Sequence, residues 1–145
     1  MNTTFKCFAG LSLISACLIA GGCSGLVSPH GPIDDDAPTE FTTTDSGLQY
    51  RVLRKSEGKR PGSADSVKAH YIGTLDDGTV FDTTYNRGQP GIFKLNEVIP
   101  GWTEGLRLVG EGGMIELRVP PVLAYGSKGR RPKVPPAATL NFKIE

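Results

Sequence analysis

Apolar residues change their spacing several times along this chain, and each change marks an expected element. After Lys6 the run CFAGLSLISACLIAGG carries no charge. It is short for a membrane span and ends in small residues, as a secretory signal does. Residues 24–44, SGLVSPHGPIDDDAPTEFTTT, show no period at all. Pro, Gly, Ser, Thr and the run Asp34, Asp35, Asp36 offer too little apolar area to order themselves, so 23–45 is predicted to be a flexible tether.

Patterning begins at Gly47. Leu48, Tyr50, Val52 and Leu53 alternate imperfectly, as in a strand, and residues 57–62, EGKRPG, break the pattern. Residues 67–73, VKAHYIG, resume it, and Asp76-Asp77-Gly78 before Thr79-Val80-Phe81 predicts a hairpin. Residues 92–95 form a further short strand. Trp102, Leu106 and Val109 recur at helical spacing behind Pro100, which suits a helix start, with Gly110 or Gly112 as the stop. Ile115, Leu117 and Val119, and then Leu140, Phe142 and Ile144, alternate with polar residues on either side of a long Gly/Pro/Lys/Arg loop at 120–136. The sum is one α+β domain over 46–145, a twisted antiparallel sheet curled around one short helix.

Composition narrows the chemistry. The 145 residues carry a net charge of +1, which gives no reason to expect nucleic acid. The three cysteines, Cys7, Cys17 and Cys23, all precede the patterned region. The domain therefore has no disulfide, thiolate-held zinc or thiol nucleophile. His30 and His70 are far apart in sequence, so neither metal nor cofactor is expected. Ala20-Gly21-Gly22-Cys23 looks like a lipobox, where bacteria attach diacylglycerol to a cysteine and cleave ahead of it. Ile14-Ser15-Ala16-Cys17 also fits. Cys23 is preferred, because choosing Cys17 shortens the apolar segment and leaves Leu18-Ile19 in the mature linker. Residues 1–22 are then a signal peptide, and the lipid holds the mature protein to a cell-envelope membrane, facing the periplasm or the outside.

Five segments, VKAHYIGTLDDGTVFDTT, FKLNEVIPGW, GLRLVGEGG, VPPVLAYG and VPPAATLNF, together resemble the FKBP family of peptidyl-prolyl cis-trans isomerases, in order and with near-family spacing. The resemblance implies an antiparallel sheet around one helix and an apolar pocket between them. It implies that Tyr71, Phe81, Val98, Ile99, Trp102, Val134 and Phe142 line that pocket, with Trp102 as the floor under the substrate prolyl ring. The Ile99 N–H and the Tyr125 hydroxyl would bond substrate carbonyls. Asp82 would be the pocket carboxylate, paired with Arg87. Without the resemblance, Trp102 and Phe142 read as core, Asp82 as a turn residue and Tyr125 as a loop aromatic.

These residue types suit bond rotation. Twisting a peptide bond faces a barrier of about 18–20 kcal/mol because the planar amide loses resonance. No nucleophile is required; what helps is a dry pocket favouring the twisted, less charge-separated amide. The expected activity is thus isomerisation of Xaa-Pro bonds in exported polypeptides, by a monomer, with macrolide inhibitors as further ligands. The alternative is a non-catalytic module or holdase that binds proline-containing segments. It is motivated by two departures: Gly91 stands where the family often has a large pocket side chain, and residues 127–133, SKGRRPK, are unusually basic. No large insertion follows Phe81, so no chaperone flap domain is expected.

Overall fold

A computed structural model of the chain describes residues 30–145. The charge-free run, Cys17 and Cys23 lie outside the described residues. The strands are β1 Thr42–Thr43, β2 Gln49–Arg54, β3 Ser66–Ala69, β4 Tyr71–Leu75, β5 Val80–Thr83, β6 Gly91–Lys94, β7 Met114–Val119 and β8 Leu140–Ile144, and the helix is α1 Pro100–Gly105. A six-stranded sheet runs β1-β2-β7-β8-β4-β5, with β3 and β6 as a separate pair. Every pairing is antiparallel.

Alternation in β7 and β8 builds the core as expected. Leu117 lies opposite Phe142 and Val119 opposite Leu140, and all four are buried. Helix α1 lies close on β7 because two of its positions lack a side chain. A Cβ on Gly101 would stand 2.4 Å from Val119 Cγ1, and one on Gly105 2.6 Å from Leu117 Cδ1. The hairpin at 76–78 forms, with Gly78 at φ +84°, a left-handed conformation that glycine adopts without steric cost.

Three expectations need correction. Residues 67–73 are not one strand: His70 divides them, β3 pairing only with β6 while β4 pairs with β5 and β8. One stretch of β-pattern therefore serves two sheets. The helix ends before either glycine, passing at Leu106–Leu108 into a 3-10 turn with Val109 extended. Gly110 serves another purpose: a Cβ there would stand 2.3 Å from the Gly58 carbonyl oxygen, so it admits the 56–58 loop.

The third correction concerns the tether, which does not extend to residue 45. From His30 onward the chain is laid along the outer edge of β2. Thr42 and Thr43 pair with Tyr50 and Gln49, the Asp34 N–H donates to the Leu53 carbonyl at 2.9 Å, and Arg51 donates to the Thr39 carbonyl and covers the Phe41 ring. An edge strand has unpaired backbone groups that a polar segment can satisfy. Apolar content, on which the tether was predicted, does not register this.

Candidate active site

Five aromatics from five elements converge: Tyr71 from β4, Phe81 from β5, Phe93 from β6, Trp102 from α1 and Phe142 from β8. Tyr71 meets Trp102 edge-on, with centroids 4.9 Å apart at 89°. Trp102 also meets Phe93 at 5.2 Å and Phe142 at 5.4 Å, and Phe142 meets Phe81 at 5.6 Å. Such edge-to-face pairs contribute about 0.5–1.5 kcal/mol each beyond area burial. Gly73 makes the last contact possible, since a Cβ there would stand 2.6 Å from the Phe81 ring. Trp102 is 4% exposed, and its Nε1–H meets no acceptor among the described residues.

At the edge of this cluster the Tyr71 hydroxyl donates to Asp82 Oδ2 at 2.5 Å, and Asp82 Oδ1 accepts from the Thr83 N–H at 2.9 Å. Burial first, and then the bond to the Asp82 carboxylate, push the Tyr71 pKa above its ordinary value, so the phenol keeps its proton. The expected Arg87–Asp82 ion pair is not formed among the described residues. Arg87 sits exposed on the 3-10 turn Tyr85–Arg87, where water solvates it, and Asp82 accepts from Tyr71 and Thr83 instead. The positive charge of Arg87 works against the rise of the Tyr71 pKa.

Val98, Ile99 and Tyr125 pack half-buried against the cluster, and Val134 is buried within it. Ile99 caps α1 with its carbonyl, which accepts from the Trp102 and Thr103 N–H groups. Its own N–H donates to no protein group among the described residues. The Tyr125 hydroxyl accepts from Arg130 Nη1 at 3.3 Å, and that guanidinium lies 5.7 Å from the Tyr125 ring centroid.

A cleft of about 240 Å³ is walled by Phe81, Asp82, Val134 and residues 130–133. Trp102 and Phe142 do not line it; Phe142 reaches it through the edge of Phe81. A larger cleft, about 420 Å³, opens between β3 and the turn at 110–113, but none of the expected site residues borders it. The candidate site is therefore defined by the convergence of the aromatics, the Asp82 carboxylate and the Ile99 N–H, not by cavity size.

Sequence reasoning missed Phe93. Its place in a short alternating strand is the signal that points to it. At Gly91, where the family often has a large side chain, a Cβ would stand 2.4 Å from Phe93 Cζ, so the Phe93 ring occupies that space. The contact from Arg130 to Tyr125 was also missed, since no spacing rule pairs residues across a loop.

Comparison with known proteins agrees with this geometry. The family model for FKBP-type peptidyl-prolyl cis-trans isomerases matches residues 57–145. The FKBP-type 22 kDa peptidyl-prolyl cis-trans isomerase of Escherichia coli (strain K12) is 46% identical over 114 residues, covering 78% of this chain and 55% of that protein. The outer membrane protein MIP of Legionella longbeachae is 48% identical over 99 residues, covering 68% of this chain and 42% of that protein. The crystal structure of FkpA from Escherichia coli superposes with a TM-score of 0.71 at 46% identity, covering 74% of this chain and 50% of the other. The chain belongs to the FKBP-type peptidyl-prolyl cis-trans isomerase family. It spans about half the length of the curated relatives named here.

Proposed function

We propose that this protein accelerates cis-trans rotation about Xaa-Pro bonds, at the pocket formed by Tyr71, Phe81, Phe93, Trp102 and Phe142. The observation that carries the reading is the aromatic cluster joined to a Tyr71–Asp82 hydrogen bond and a free Ile99 N–H. A prolyl ring seated against Trp102 meets apolar surface. The planar amide, with its separated charge, is less well solvated there than the twisted one. The Ile99 N–H and the Tyr125 hydroxyl hold carbonyls on either side, so rotation is confined to one bond. Accepting from Arg130 leaves the Tyr125 proton available to donate. The Asp82 carboxylate fixes the Tyr71 ring as a pocket wall. Val98 and Val134 complete the apolar rim.

A protease-coupled assay on Xaa-Pro peptides tests the reading. Acceleration over the uncatalysed rate supports it, and rates equal to the uncatalysed reaction refute it. Macrolide inhibitors compete for the same pocket and are expected to suppress the acceleration.

The rest of the proposal concerns place. Residues 1–22 act as a signal peptide, Cys23 carries the lipid, and the enzyme works as an envelope-bound monomer on proline-containing segments of exported proteins. The lipobox at 20–23 and the envelope location stated in the name of the Legionella relative support this. Mass analysis of the mature N-terminus decides between Cys23 and Cys17.

A further inference from the structure

The chain is nearly neutral, with sixteen cationic and fifteen acidic side chains. Yet Lys128, Arg130, Arg131 and Lys133 fall within one short stretch at the rim of the candidate site. All four are exposed, and none forms an ion pair among the described residues.

The stretch is held in shape. The Arg130 N–H donates to the Val134 carbonyl and the Val134 N–H to the Arg130 carbonyl, both at 2.9 Å. The Gly129 N–H donates to the Tyr125 carbonyl at 3.2 Å and the Ala137 N–H to the Gly126 carbonyl at 3.0 Å. Val134, 2% exposed, pins this tight turn to the core. Arg130, Arg131 and Lys133 therefore border the cleft of about 240 Å³ from a fixed turn, opposite Phe81 and Asp82. Against these three cations stands one carboxylate, Asp82, which accepts from the Tyr71 hydroxyl and the Thr83 N–H. Pockets for drug-sized ligands run about 300–1,000 Å³, so this one suits a single side chain.

We propose that the cleft is a subsite for an acidic side chain next to the substrate proline. Arg131 and Lys133 set the specificity, and Arg130 ties the subsite to the Tyr125 hydroxyl. The inference rests on the isomerase reading of the pocket and names a substrate class for it. An acidic peptide fits better than an anionic lipid surface. The cations border a concave cleft beside the prolyl pocket, where one carboxylate reaches several of them and a flat headgroup layer does not.

The test uses the full chain in detergent and Ala-Xaa-Pro-Phe peptides with Glu, Gln or Lys before the proline, and counterparts with these residues after it. At low salt kcat/KM for Glu should exceed that for Gln by about three- to fivefold on one side of the proline, the scale of an exposed ion pair. At 1 M salt, where the screening length is about 3 Å, the difference should vanish. Arg131→Glu/Lys133→Glu should put Lys ahead of Gln, and the milder Arg131→Gln/Lys133→Gln should level all three. Equal kcat/KM for the three peptides on both sides, or a ranking unmoved by either double variant, overturns the proposal. If no peptide is isomerised above the uncatalysed rate, the isomerase reading falls. Affinities of the same peptides, read from Trp102 fluorescence, then decide the charge preference. Variants that lose binding to phosphatidylglycerol vesicles while keeping the peptide ranking overturn it in favour of lipid.

Discussion

Asp82 and Tyr125 stand at the same rim but are held differently, and their substitutions should differ accordingly. Tyr125→Phe removes one neutral hydrogen bond, worth about 1 kcal/mol. Roughly a fivefold fall in kcat/KM is expected from peptide kinetics, with unchanged thermal stability because the ring still packs. Asp82→Leu strips the Tyr71 hydroxyl of its acceptor at a half-buried position. An unmatched buried donor costs about 1–3 kcal/mol, so this variant should lose both rate and melting temperature, measurable by the same assay and by calorimetry. Which aromatic rings meet was legible, because resemblance carries side chains directly: Tyr71, Phe81, Trp102 and Phe142 converge. What was not legible was which partner each polar group takes. The Asp82 carboxylate goes to Tyr71 and Thr83 rather than Arg87, a choice made by local backbone geometry that sequence spacing does not encode.

Among elements, strands with clean alternation were readable, since burial on one face leaves a period of two. The boundary at His70 was not, because β-pattern persists through a residue where pairing changes partner. The segment at 30–45 was misread for a related reason: its order comes from hydrogen bonds to an edge, not from burial. Its anchorage is titratable. His30 bonds the Tyr85 hydroxyl, which donates to Glu145; that carboxylate also receives the Gly31 N–H and Arg54. Burial first, then Lys143, lowers the His30 pKa below its ordinary 6.5. For Glu145 burial pushes upward, but Tyr85, Gly31 and Arg54 together hold it below its ordinary 4.5. In both cases the unfolded or detached state binds the proton more readily, so docking strengthens as pH rises. The contribution of His30 is full above about 6.5 and fades as pH falls through its depressed value; that of Glu145 is full above about 4.5 and fades below it. Hydrogen exchange at the Gly31 and Asp34 amides should accelerate in those two steps. Glu145→Gln should abolish the lower step and leave the upper one. A single unchanging exchange rate between pH 7 and pH 4, after correction for intrinsic exchange, would contradict this anchorage.

At the scale of the whole molecule, the short helix and the sheet meet so closely that their contact depends on absent side chains. Gly101→Val or Gly105→Leu would drive a branched side chain into Val119 or Leu117. Overpacking of this kind costs about 1–3 kcal/mol, and here it also lifts Trp102 away from Tyr71. Melting temperature and activity should therefore fall together in these variants, whereas Tyr125→Phe lowers activity alone. On the proposed function, this aromatic pocket turns a proline peptide bond with no bond-making chemistry. Two-dimensional NMR exchange on an Ala-Leu-Pro-Phe peptide with a substoichiometric amount of the protein tests it most directly. Uncatalysed isomerisation takes about tens to hundreds of seconds, so mixing for well under a second shows no cis-trans cross-peaks unless the bond is being catalysed. Cross-peaks should appear with the protein and fade with Asp82→Leu; a spectrum without them, recorded with folded protein, would rule the isomerase reading out.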